Sequence, residues 1–142
     1  MPVSTDVPVI DVLKGLLLVQ RDLVGFAVVV RVTGEVDGTS VEMLHDELSV
    51  ALALSTPPAP VVVDLTGTTF FGAAGLNEVC LQHHRAHGVG TQLRVVPSPQ
   101  VLRPLTVIGL GELLHVHADV ESALRGEVPA QRTPPPGEHR IG

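Results

Sequence analysis

The stretch Val61-Val-Val-Asp-Leu-Thr-Gly-Thr-Thr-Phe-Phe-Gly-Ala-Ala-Gly-Leu76 carries two structural instructions. Its opening, Val61 to Leu65, is a short continuous apolar run bounded by Pro60 and Gly67. A strand with one wet face alternates apolar and polar residues, so an unbroken run predicts an interior strand buried on both faces, with parallel neighbours. Its close, Gly72 to Gly75, feeds a helix in which Leu76, Val79, Cys80 and His83 share one face and which Gly88 and Gly90 end. A buried strand passing directly into a helix is the building unit of an α/β layer fold.

The same alternation continues outward. Leu16 to Arg21 and Phe26 to Thr33 are aliphatic runs separated by Asp22-Leu-Val-Gly25, which predicts a hairpin and hence an antiparallel sheet edge. After Gly34-Glu-Val-Asp-Gly38, Thr39 or Ser40 can cap a helix through Val41, Leu44, Leu48, Ala51 and Leu52 that stops before Pro57. Leu93 to Val96 reads as a strand. Pro99 opens a third helix along Leu102, Leu105 and Ile108, and Gly109 and Gly111 end it. Leu113 to His117 reads as an edge strand, and Asp119 caps a last helix through Val120, Ala123 and Leu124. The expectation is an α/β fold: one domain over residues 9–126, with a mixed sheet of about five strands and about four helices. Residues 1–8 read as a flexible N-terminus. Residues 127–142, with Pro129, Pro134, Pro135 and Pro136 and no apolar period, read as a disordered tail.

Composition narrows the function. The chain has 142 residues, 44% hydrophobic and 17% charged, which excludes a disordered class. Its aromatics are three phenylalanines with no Trp or Tyr, so it lacks rings for stacking bases. Nine Lys and Arg against 15 Asp and Glu give a net charge of −6, and the basic residues are scattered, which argues against nucleic-acid binding. A single cysteine, Cys80, excludes an intrachain disulfide and multi-cysteine metal sites. No leader-like segment opens the sequence and no apolar run approaches the ~20 residues of a membrane span, so a cytoplasmic protein without membrane insertion is expected.

Three segments in this order resemble the STAS domain, the sulfate-transporter and anti-sigma-factor-antagonist family: Val28 to Asp37, Val61 to Leu76, and Leu93 to Pro99 with Ile108-Gly-Leu110. The resemblance covers about Leu16 to Leu124 and implies the STAS-like fold. It also implies a protein-binding module that docks on an anti-sigma factor serine kinase of the GHKL type, through the turn at 71–76, the second helix and neighbouring strand ends. The family pattern at this turn is an apolar residue followed by Asp-Ser-Ser-Gly-Leu, whose first serine the kinase phosphorylates. Here the turn reads Phe71-Gly72-Ala73-Ala74-Gly75-Leu76, so Gly72 replaces the acid and Ala73 and Ala74 replace both hydroxyls. A helix N-terminus favours an attached phosphate electrostatically, but an alanine methyl has no oxygen to carry one.

Other candidates have plainer readings beside them. Asp37 and Asp64 match family acids on the rim of the switch; equally, Asp37 can cap the following helix and Asp64 can serve as a hydrogen-bonded strand end. Thr68 and Thr69 are alternative phosphate acceptors, although alternation points one of them inward. His83, His84 and His87 place an i, i+4 pair at a helix end where imidazole complements the dipole, so a structural role is preferred to a metal site. Cys80, on the apolar stripe, reads as a buried thiol. His115 and His117 alternate along the edge strand. No nucleophile, base and oxyanion hole assemble, so neither an enzyme nor a cofactor is expected. The functional expectation is an anti-sigma factor antagonist without the acceptor serine. The alternatives are a STAS subunit of a lipid or solute ABC transporter and a module binding a small anion at the turn.

Overall fold

The computed structural model describes residues 17–126. Strand β1 (Leu17–Val24) and strand β2 (Ala27–Val36) form the opening hairpin, followed by helix α1 (Val41–Leu54), strand β3 (Val61–Phe71) and helix α2 (Ala73–Gly88). Strand β4 (Leu93–Pro97), helices α3 (Pro99–Val107) and α4 (Leu110–Leu113), strand β5 (His115–Val116) and helix α5 (Val120–Arg125) complete the order. The sheet runs β1-β2-β3-β4-β5, antiparallel at the first pairing and parallel at the other three. The mixed α/β sheet expected from the alternation is therefore present. The calls on residues 1–8 and 127–142 lie outside the described residues.

Burial explains the layers. Val28, Val30 and Val32 of β2 and Val61, Val63 and Leu65 of β3 face Leu44 and Leu48 of α1, Val79 of α2 and Val101 and Leu105 of α3. The alternate residues Val29, Val62 and Val96 meet Ala123 of α5 on the other side. Each fully buried Leu or Val contributes ~1.5–3 kcal/mol, so this two-sided aliphatic core can hold the fold without large rings.

Several boundaries move from their expected places. The hairpin strands run on through Asp22, Leu23 and Val24, leaving a two-residue turn at Gly25-Phe26 in which Gly25 has φ +64°. Strand β3 does not stop at Leu65 but continues to Phe71, pairing Gly67 with Thr33 and Phe71 with Val36 across two register shifts. The buried stripe of α3 is Val101 and Leu105; Leu102 and Ile108 are exposed. Gly109, at φ +80°, ends α3 and Leu110–Leu113 adds a single helical turn, which shortens the expected edge strand to His115–Val116. The buried side of α2 is Gly75, Glu78, Val79, Gln82 and Ala86, so Cys80 and His83 flank the core rather than lie within it.

Candidate functional site

The turn between β3 and α2 is built by two contacts. The Gly72 N–H donates to Val36 O at 3.0 Å, which places the start of α2 beside the end of β2. A Cβ on Gly75 would lie 2.9 Å from the Phe71 ring and from Val36 Cγ1, so only glycine lets the first turn of α2 press onto that corner. Helix α2 has no side-chain N-cap. The amides of Gly75 and Leu76 donate to Gly72 O, whereas those of Ala73 and Ala74 have no acceptor among the described residues. The turn thus presents open N–H groups at the positive end of the α2 dipole.

The expected surface residues divide on exposure. Ala73 is exposed, and Gly72, Ala74 and Leu76 are half-buried. Phe71 and Gly75 are buried and shape the turn from inside, with Phe71 also touching the depression beside it. The accessible ring is Phe70, 50% exposed: Thr68 and Phe71 are buried with Thr69 and Phe70 both outward, so strict alternation breaks where the register shift between Gly34 and Glu35 skips Thr69. Its ring lies over the backbone of Gly72, and with Thr69, Pro99, Arg103 and Pro104 it lines a depression of about 660 Å³ beside the turn.

Asp37 is at this rim, one residue beyond Val36. Its Oδ1 accepts from Thr39 N and Oγ1 at 2.9 and 2.8 Å and from Ser40 N at 3.1 Å. The Thr39 hydroxyl, then the Thr39 and Ser40 amides, hold its carboxyl below the usual range. Asp64 is elsewhere. Because β3 runs on to Phe71, Asp64 is mid-strand, about 20 Å of strand before the turn. It accepts from Thr66 N and Oγ1 at 3.0 and 2.7 Å and lies 3.8 Å from Arg31, which also pairs with Asp22. The structure therefore brings Asp37 to the turn and leaves Asp64 in an ion-pair ladder on the sheet. Thr68 is buried with its hydroxyl on Val32 O, and Thr69 faces outward, as alternation predicts.

Residues 19–115 match the family described as Mlab, STAS domain. This chain belongs to the STAS domain family. The anti-sigma-F factor antagonist RsfA of Mycobacterium tuberculosis is 32% identical over 99 residues, covering 69% of this STAS chain and 77% of the relative. An anti-sigma factor antagonist from Mycobacterium paratuberculosis superimposes with a TM-score of 0.69 at 22% identity, covering 80% of this chain and 95% of that one. The anti-sigma factor antagonist SpoIIAA in its unphosphorylated form superimposes at 0.59 with 24% identity, over 78% of this chain and 98% of that one. The STAS fold expected from the three sequence segments is thereby shown. No helix among the described residues is long and apolar enough to cross a membrane.

Sequence reasoning missed a polar seam between α1 and α2 of this STAS domain. Glu78 Oε2 accepts from Gln82 Nε2 at 2.6 Å and lies 2.8 Å from His45 Nδ1, and Gln82 Nε2 reaches Ser49 Oγ at 3.3 Å. Glu78 and Gln82 are 8% and 0% exposed. Their i, i+4 spacing on the helix was the available signal. His83 packs at 5.5 Å from His115, and burial, then the neighbouring His87 and His84, lower its basicity. Burial pushes the Cys80 thiol up.

Proposed function

We propose that this STAS domain is an anti-sigma factor antagonist that binds an anti-sigma serine kinase of the GHKL type through the rim formed by Asp37, Gly72, Ala73, Ala74 and Leu76. It acts by binding and not by catalysis. The observation that carries the reading is the exposed Ala73 at the open start of α2, the position that the sequence resemblance matches to the family's acceptor serine. A hydroxyl there would be phosphorylated and the added charge would break the contact; the methyl leaves the rim permanently in its binding form. The relatives named as antagonists support the regulatory class.

The test captures partners from the native bacterium on immobilised chain, identifies them by mass spectrometry, and repeats the measurement with purified partner and variants. Ala73→Asp should keep the fold yet lose roughly 30- to 4,000-fold in affinity, because an unpaired carboxylate must be desolvated at the interface at ~2–5 kcal/mol. Ala73→Ser should bind as the parent does. Recovery of a transporter ATPase in place of a kinase would favour the transporter-subunit reading. Full affinity in a folded Ala73→Asp variant would remove the turn from the interface.

A further inference from the structure

A second concave site lies at the far end of α2, between its last turns and those of α1. We propose that this groove binds a small amphipathic carboxylate, a medium-chain acid whose chain rests on the apolar wall and whose head pairs with Arg85. The groove has a volume of about 440 Å³, within the range of small-molecule sites. Leu52, Ala53 and Val89 supply apolar wall, and Ser49, Gln82 and Arg85 supply three polar groups. Apolar walls with a few convergent polar groups are the ordinary make-up of a ligand site.

One observation selects the ligand chemistry, and a second marks an unsatisfied group beneath the groove. Arg85 is exposed and has no carboxylate partner among the described residues; its guanidinium makes one long contact, Nη1 to Ser49 Oγ at 3.4 Å. A planar donor fork in that state matches a carboxylate better than any neutral head group. Gln82 is wholly buried beneath the groove, with Nε2 committed to Glu78 and Oε1 lacking any donor among the described residues. A buried acceptor without a partner is uncommon and costly; a carboxylate, itself an acceptor, does not bond it directly, whereas a water at the groove floor could donate to both. Gly88 leaves the groove mouth clear, since a Cβ there would meet nothing within 4 Å. Arg85 is twelve residues beyond Ala73, roughly 18 Å along the helix, so this site does not rest on the antagonist reading.

The test is a heteronuclear NMR titration of the full chain with sodium octanoate, with octan-1-ol as the uncharged control. Octanoate should give saturable shifts at Ser49, Leu52, Gln82 and Val89. Arg85→Gln should weaken octanoate about five- to tenfold and leave octanol unchanged. Gly88→Leu fills open space and should abolish binding of both; circular dichroism checks that each variant folds. Octanoate and octanol binding equally, shifts that fail to saturate, or an octanoate affinity untouched by Arg85→Gln would each overturn the proposal. If Gly88→Leu does not fold, the Arg85→Gln comparison alone decides.

Discussion

The phenyl ring of Phe70 covers the backbone of Gly72, such that a Cβ on Gly72 would lie 3.1 Å from Phe70 Cε2 and 3.3 Å from Cζ. The acid that the family pattern places at this position would have to displace the ring. Phe70 and Gly72 are therefore coupled in physical terms: the ring can lie where it does only because position 72 carries no side chain. Since Phe70 is half exposed, the ring can swing away. Gly72→Ala should change unfolding free energy by less than ~1 kcal/mol.

Gly75→Ala should behave differently. Its Cβ would meet the Phe71 ring and Val36 Cγ1 at 2.9 Å, both in the core. Overpacking of this kind costs ~1–3 kcal/mol, which outweighs the ~1 kcal/mol that alanine gains over glycine inside a helix. Urea denaturation of the two variants side by side would reveal the contrast. Equal stabilities would mean that the α2 start is not pinned against the β2 corner.

The seam between α1 and α2 predicts non-additivity. Glu78→Ala removes the acceptor that Gln82 and His45 share and should cost ~1–3 kcal/mol. In Glu78→Ala/His45→Ala the second change should cost less than it does alone, because the contact is already gone. Additive losses in a double-mutant cycle would show that the two side chains do not interact.

Asp37 fixes a pH dependence. Its hydrogen bonds to Thr39 and Ser40 lower the folded-state pKa below the ordinary 3.8. The stability it contributes is present above the unfolded value and is lost as pH falls through the folded one. Carboxyl NMR titration should find Asp37 among the most acidic side chains, and Asp37→Asn should flatten that part of the acid-unfolding curve. An Asp37 that titrates at or above 3.8 would contradict the geometry of the turn.

Cys80 is half-buried, and burial raises its thiol pKa above the usual 9.0. At neutral pH little thiolate exists, so labelling with DTNB should be at least about tenfold slower than in denatured protein and should accelerate with rising pH. Rapid stoichiometric labelling of the native chain at pH 7 would contradict this environment.

The sequence alone determined the order of elements apart from the single turn Leu110–Leu113, because the signals involved are local. The unbroken Val61–Leu65 run, the Asp119 cap and the apolar spacing of α1 each act within a few residues, and the family resemblance at 28–37, 61–76 and 93–99 reinforced them. It also determined that Ala73 carries no acceptor hydroxyl. Tertiary structure decided what depends on partners distant in sequence. Strand β3 outlasts its apolar run because β2 continues beside it, and that extension carries Asp64 away from the turn while Val36 draws Asp37 to it. The face of α2 that turns inward is set by what α1 offers it, since His45 and Ser49 make burial of Glu78 and Gln82 tolerable. Periodicity counts apolar residues on one helix, whereas the desolvation of a polar side chain is offset by a hydrogen bond from another.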